Sequence, residues 1–171
     1  MDVGARGRKC RYLVVMHDTF VHKKHSNSFV SYKNSSWGWN RTKKKRELGL
    51  RGMQYIVAYN KDDGGPAAFC SFIKTSEMDK DNRKRHVLYC YELQVHKKFQ
   101  GLGLGTMLLQ LLEDRAKSLL NDPLVMLTCF AVNQKALCFY NKHNYHIDAI
   151  SPTDQDYIIM SKSLQKNHDR I

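Results

Sequence analysis

The chain has 171 residues, with 28 Lys+Arg against 16 Asp+Glu, 42% apolar residues and 11% aromatics. That length fits one domain with a real core and excludes wholesale disorder; no stretch approaches the roughly 18 consecutive apolar residues of a membrane span, so no membrane partner is expected. The net charge of +12 sits in residues 1–51, where 13 Lys+Arg and 3 Asp+Glu give +10, against +2 for the remainder.

Residues 1–10 lack periodicity and are expected to be mobile. Tyr12 to Met16 is a short apolar run that could open a strand or a helix. Residues 17–36 are polar with scattered aromatics. Asn40 to Leu48 reads as a short charged helix with an Asn cap, stopped by Gly49. Met53 to Tyr59 is strand-like, being rich in β-branched and aromatic residues. The turn chemistry of Asn60-Lys61-Asp62-Asp63-Gly64-Gly65-Pro66 leads into Ala67 to Lys74, which predicts a β-hairpin. A charged loop from Met78 to Arg85 precedes the clearest strand, His86 to Val95. Strict alternation would put Val87, Tyr89, Tyr91, Leu93 and Val95 on one face and Leu88, Cys90, Glu92 and Gln94 on the other.

A Gly-rich turn follows, and from Leu104 the pattern becomes helical, with Met107, Leu108, Leu111, Leu112 and Leu119 at three- and four-residue steps. Asn121-Asp122-Pro123 ends it. Leu124 to Phe130 is a continuous apolar run, as a buried parallel strand would be. Asn133 to Lys142 suits a helix, and Tyr145 to Ile147 and Tyr157 to Met160 suit short strands. Hairpin, strand, helix, strand, helix, strand describes an α/β fold around a mixed sheet.

The basic clusters Arg6, Arg8, Lys9, Arg11 and Arg41, Lys43, Lys44, Lys45, Arg46 read either as sites for phosphate or another anionic surface, including nuclear import signals, or as a solvated face. The cysteines, Cys10, Cys70, Cys90, Cys129 and Cys138, are odd in number and form no Cys-x-x-Cys pair. Buried free thiols in a reducing, intracellular setting are expected. His17, His22 and His25 lie in a basic stretch with only Asp18 nearby, so they read as solvated and no metal is expected.

The sharpest local feature is Gln100-Gly101-Leu102-Gly103-Leu104-Gly105-Thr106, between a strand and an amphipathic helix. Glycines let the backbone approach a ligand, and the uncompensated N–H groups of a helix start suit a pyrophosphate. A Rossmann fingerprint would need Gly at 106, which is Thr, and the Gly-Lys-Ser/Thr of a P-loop is missing. A glycine-rich turn with no ligand is the other reading. Glu92 is the only acidic residue between Asp81 and Glu113. It interrupts an apolar strand just before this loop, where desolvation would raise its pKa and suit it to take a proton; the alternative is a carboxylate paired with a Lys at a sheet edge.

Gln100-x-x-Gly103-x-Gly105 after Glu92-Leu93-Gln94-Val95 resembles the acyl-coenzyme A loop of the GNAT acetyltransferases. Ser35-Ser36-Trp37-Gly38-Trp39-Asn40, Tyr89-Cys90-Tyr91-Glu92-Leu93-Gln94, Val125-Met126-Leu127-Thr128, Asn133 with Phe139, and Ile147-Asp148 through Ser151-Pro152 to Tyr157 resemble one subfamily, NatD, which acetylates the N-terminal α-amine of histones 4 and 2A. The resemblance implies a single GNAT domain over residues 31–165, a basic segment over 1–30 and a tail over 166–171. It implies acetyl-CoA as co-substrate, with Glu92 as general base, Tyr91 beside it, and the strand splaying near Leu93 to Val95 so that the Leu93 N–H binds the thioester oxygen.

By the same resemblance, Leu93, Gln94 and Val95 contact the pantetheine. Gln100, Gly101, Leu102, Gly103, Leu104 and Gly105 hold the pyrophosphate, and Asn133 and Tyr140 border the thiol arm. Many GNAT members use a Tyr at the position of Tyr140 to protonate the leaving thiolate. Tyr32, Trp37, Tyr91, Thr153 and Tyr157 would enclose a Ser-Gly-Arg-Gly start, with Thr75 at a position where the subfamily is acidic and Glu77 retaining a carboxylate. A monomer in cytoplasm and nucleus is implied, acting on histone tails, with ribosome or nucleosome association through the basic N-terminal region. Another GNAT acting on Lys or a small amine, or a basic chromatin- or nucleic-acid-binding module on a degenerate acetyltransferase fold, are the alternative readings.

Overall fold

The structure is a computed structural model that describes residues 12–17 and 40–166. The expectations for Tyr32, Trp37, Trp39 and the basic cluster at 6–11 lie outside the described residues. Strands β1 (Tyr12–His17), β2 (Gln54–Asn60), β3 (Pro66–Met78), β4 (Lys84–Val95), β5 (Leu124–Phe130), β6 (His146–Ile147) and β7 (Tyr157–Ser163) form one sheet in the order β1-β2-β3-β4-β5-β7-β6. Helices α1 (Arg41–Leu48), α2 (Leu104–Leu119) and α3 (Gln134–Lys142) complete the element set. Tyr12 to Met16 is thus a strand, antiparallel to β2. No helix among the described residues is long and apolar enough to cross a membrane.

The hairpins form where turn chemistry predicts them. Between β2 and β3, the Asp63 carboxylate accepts from the Gly65 N–H at 2.9 Å and the Asn60 amide at 3.1 Å. Between β3 and β4, Asp79 accepts from the N–H groups of Asp81 and Arg83, each at 2.8 Å. These side chains mimic backbone turns and set the antiparallel register. β4 and β5 are the parallel pair, joined through α2.

Leu104, Leu108, Leu109, Leu112 and Ala116 bury one stripe of α2. With Leu137 and Tyr140 of α3 they cover the sheet face carrying Ile56, Phe72, Leu88, Val125 and Leu127. The opposite face is covered in two patches. Leu48 of α1 packs with Met53, Tyr55, Val57 and Phe69, and Ile150 packs with Val87, Leu124 and Met126.

Strict alternation along β4 does not hold. Phe72 lies opposite Cys90 and Ser71 opposite Glu92, so Tyr91 is one residue too many. A β-bulge of this kind reverses the facing of everything beyond it. Leu93 and Val95 therefore join Leu88 and Cys90 on the α2 face. Tyr91 packs on the α1 face with the Tyr55 cluster, and Glu92 points there too, towards Lys44 of α1. The expected grouping of Glu92 with Leu88 and Cys90 is corrected by this one extra residue.

The segment that follows β6 is held to β4 by Arg85, whose two terminal nitrogens each lie 3.1 Å from an Asp148 carboxylate oxygen. Burial by itself would raise the Asp148 carboxyl. Hydrogen bonds from Arg85, the Ser161 hydroxyl and the Ile150 N–H outweigh it and hold the group below the usual carboxylate range. A depressed folded-state pKa stabilises the fold above the unfolded value of about 3.9 and ceases to do so as pH falls through the folded value. Asp148→Asn is expected to lose about 1–3 kcal/mol at pH 7. It should also flatten the fall of melting temperature with acid below about pH 4; thermal melts of both proteins across that range check this, and parallel curves would contradict it.

Candidate active site

The β4–β5 ladder contains three pairs, Leu88↔Val125, Tyr89↔Met126 and Cys90↔Leu127. Both strands continue, β4 to Val95 and β5 to Phe130, without pairing to each other. A cleft in the middle of the sheet results, and it opens at the bulge. The resemblance implied a splay near Leu93 to Val95; the ladder ends at Cys90, so the cleft begins earlier and takes in Tyr91 and Glu92.

Beside it on the α1 face lies a cavity of about 310 Å³. Tyr89, Tyr91 and Thr128 line it with hydroxyls, Ile150 and Ile159 with apolar surface, and Glu47 and Glu77 with carboxylates. The Tyr89 and Thr128 hydroxyls are 2.6 Å apart, tying β4 to β5 beside the cleft. The rings of Tyr89 and Tyr91 meet edge to face at 5.6 Å. Burial first, then the Glu47 and Glu77 carboxylates, push the Tyr91 phenol up, so it stays a neutral hydroxyl.

Glu92 is 7% exposed. One oxygen accepts a long contact of 3.4 Å from the Gln94 amide. The other lies 3.3 Å from the Lys44 ammonium, yet no aligned hydrogen-bond donor among the described residues meets it. A buried carboxylate oxygen with spare accepting capacity next to a cleft is what a proton acceptor requires. Glu92 is thus both the buried carboxylate expected from its place in the strand and the partner of a lysine. That lysine comes from a helix packed on the sheet, not from a sheet edge.

At the far end of β4 the chain makes one 3₁₀ turn, Lys97–Phe99, and enters the glycine loop. Gly101 and Gly103 have φ of +77° and +83°, where a Cβ would be strained. Gly103 is the N-cap of α2 and supplies no capping side chain, so the first N–H groups of a 16-residue helix are uncapped by it. A Cβ on Gly105 would come within 3.3 Å of the Phe139 ring, so glycine there permits the close approach of α2 and α3. His143 completes that junction. Its Nδ1–H donates to the Phe139 carbonyl at 2.8 Å, leaving Nε2 to accept from the Thr106 hydroxyl at 2.9 Å. The uncapped helix start and the positive-φ glycines fit the pyrophosphate of coenzyme A.

Residues 16–145 match the acetyltransferase (GNAT) family. The chain belongs to the GNAT family. It is an acetyltransferase of the GNAT type on one α/β domain. Solved structures with the same fold include the Naa50 of Arabidopsis thaliana in complex with the bisubstrate analogue CoA-Ac-MVNAL. That structure is 19% identical, covers 88% of this chain and 99% of its own, and has a TM-score of 0.52. The ribosomal-protein-S18-alanine N-acetyltransferase of Escherichia coli is 16% identical, with coverage of 93% and 99% and a TM-score of 0.56. Nourseothricin acetyltransferase is 22% identical over 67% of this chain, which spans about two thirds (66%) of that protein, with a TM-score of 0.52.

Glu77 and Tyr91 line the cavity, Glu92 and the Leu93–Val95 segment follow on the stretch of β4 that does not pair with β5, and Gly101 to Gly105 lead into α2. The Gln100 amide donates to the Val95 carbonyl at 3.1 Å, which shapes the loop. Asn133 caps α3 through the Ala136 N–H at 3.2 Å. Tyr140 is buried against the core, and burial pushes its phenol well above the ordinary value. Thr75 and Tyr157 are half-buried outside the cavity lining, and Thr153 is exposed. Tyr32 and Trp37 lie outside the described residues. Sequence reasoning missed Lys44, Glu47, Tyr89, Thr128, Ile150 and Ile159; Lys44 and Glu47 carry no signal beyond being three apart on a helix. Among the described residues no group of three or more His, Cys, Asp or Glu is placed to hold a metal.

Gly103→Ala forces a Cβ into the left-handed region at a cost of roughly 1–2 kcal/mol. The expected result is a roughly tenfold weaker coenzyme A affinity by calorimetry, with the domain still folded; unchanged affinity would separate the loop from coenzyme binding.

Proposed function

We propose that the protein is an N-terminal acetyltransferase acting on histones 4 and 2A, whose tails begin Ser-Gly-Arg-Gly. One observation carries the reading: Glu92 is buried at the mouth of the β4–β5 cleft with an oxygen left open to accept a proton. The Glu47 and Glu77 carboxylates lining the adjacent cavity suit a cationic chain, and the phenols of Tyr89 and Tyr91 suit peptide groups. The Trp37-Gly38-Trp39 and Tyr89-Cys90-Tyr91-Glu92 segments support the histone assignment by resemblance. The shared fold of Naa50, solved with CoA-Ac-MVNAL, and of the S18-alanine N-acetyltransferase supports a peptide or protein amine as substrate.

Acetyl-CoA supplies the thioester carbonyl. The chain's own residues prepare the amine. An α-amine has a pKa near 7.7–8.0 against about 10.4 for Lys, so deprotonating it costs about 3 kcal/mol less. Glu92 accepts that proton. The backbone of Leu93 to Val95 would border the pantetheine arm, with the Leu93 N–H on the thioester oxygen. The amides of Gly101 to Gly105 would hold the pyrophosphate. Tyr140 would border the thiol end, where burial keeps its phenol a neutral hydroxyl. The basic N-terminal region would dock on nucleosomal DNA or ribosomal RNA, the enzyme acting as a monomer in cytoplasm and nucleus.

Mass spectrometry of a Ser-Gly-Arg-Gly peptide containing internal lysines, incubated with acetyl-CoA, is expected to show one acetyl group on the terminal nitrogen. The N-terminally blocked peptide should stay unmodified, and Glu92→Gln should lower kcat/KM by about 10²–10⁴-fold. Acetylation of lysines in the blocked peptide would place the enzyme among side-chain acetyltransferases, and full activity in Glu92→Gln would remove Glu92 as base.

A further inference from the structure

We propose that Lys44 of α1 is a positioning residue that keeps the Glu92 carboxylate charged and aimed at the cleft. The proposal rests on the reading of Glu92 as proton acceptor. Within the run Lys43-Lys44-Lys45-Arg46, Lys44 alone is buried, at 8% exposure, while Lys43, Lys45 and Arg46 are exposed. Lysine is rarely buried without partners. Here its ammonium lies 2.5 Å from a Glu47 carboxylate oxygen and 3.3 Å from Glu92 Oε2. The side chains of the three residues are 9%, 21% and 6% exposed, so water screens them little.

Its location is set by how α1 is fixed. Asn40 caps the start by accepting from the Lys43 N–H at 2.9 Å. The Tyr55 hydroxyl donates to the Leu48 carbonyl at the other end, and Leu48 packs on the Tyr55 cluster. Between these anchors, Lys44 faces the sheet just where the bulge turns Glu92 outward.

Among the described residues, the groups that act on Glu92 are Lys44 and Glu47 from α1, the Tyr55 phenol from β2, the Cys70 thiol from β3 and the Gln94 amide from its own strand. Within this described set Lys44 is the cation. Without it, two carboxylates and a phenol would crowd one desolvated space with no opposite charge between them. The 3.3 Å contact lacks hydrogen-bond alignment, so the ammonium supplies charge while leaving Glu92 Oε2 able to accept from the substrate.

The test uses full-length protein with ¹³C-labelled glutamate, the Glu92 carboxyl signal being assigned by its loss in Glu92→Gln. Lys44→Met is expected to move the Glu92 titration midpoint up by about one pH unit or more. The acid limb of the peptide acetylation rate should move by the same amount, with kcat lowered about tenfold on that limb below the wild-type midpoint and KM for the peptide changed less than about twofold. Lys44→Arg, which keeps the charge, should restore most of the rate. If Lys44→Met does not fold, Lys44→Gln is expected to give the same shift, and Lys44→Met/Glu92→Gln should regain a cooperative melt because no unpaired buried carboxylate remains at position 92.

An unmoved midpoint in a folded Lys44 variant overturns the proposal, as does a moved midpoint with an unmoved acid limb. Should the wild-type enzyme leave the histone peptide unmodified, the substrate reading fails. The carboxyl titration, which needs no substrate, then still decides the role of Lys44.

Discussion

Tyr91 is a surplus residue in β4, and the placing of the groups in the cleft follows from it. A regular strand would have sent Glu92 into the apolar face beneath α2, among Leu108, Leu112 and Val125. An unpaired carboxylate there would cost several kcal/mol. The bulge instead returns Leu93 and Val95 to that apolar face and turns Tyr91 and Glu92 to the opposite side. The β4–β5 ladder ends at Cys90, directly before the bulge. One local irregularity thus coincides with the end of pairing, the cleft and the outward turn of the carboxylate. Bulges are over-represented beside active sites for this reason: they re-aim a side chain without disturbing the rest of the sheet.

The electrostatics of the cleft run against those of the whole chain. A protein with a net charge of +12 presents carboxylates at 47, 77 and 92 in and beside one cavity. Lys44 offsets part of this concentration from inside, and the phenols of buried Tyr55 and half-buried Tyr89 and Tyr91 stay neutral because desolvation raises all three. The arrangement favours an incoming cation that can give up a proton. The start of α2 has the opposite character, uncapped by Gly103 and preceded by Lys97 and Lys98. Under the proposed function, anion and cation would bind at these two separate places.

Much of the fold was legible because local chemistry and tertiary structure agree. Asp63 and Asp79 build the turns that their sequence contexts suggest, Asn40 and Asn133 cap their helices, and the leucines of α2 keep helical spacing against one sheet face. Glu92 stood out as a lone acid in an apolar strand, but its facing was misread, because period-two counting assumes that no residue is inserted. Lys44 and Glu47 were illegible for a different reason. Arg41 to Leu48 has little apolar character before its last residue, so nothing local distinguishes Lys44 from its exposed neighbours Lys43 and Lys45. Its burial comes from where Tyr55 and Leu48 dock the helix, a contact made across the chain. The cavity wall from Ile150 and Ile159 likewise depends on Arg85 holding Asp148, 63 residues away.

The most direct test of the central claim is a crystal structure with a coenzyme A–peptide conjugate bound. The pantetheine is expected to thread between β4 and β5 beyond Cys90 and Leu127, with the pyrophosphate at Gly101 to Gly105 and the peptide nitrogen on the α1 side within reach of Glu92. A conjugate bound elsewhere, with β4 and β5 paired through to Val95 and Phe130, would contradict it.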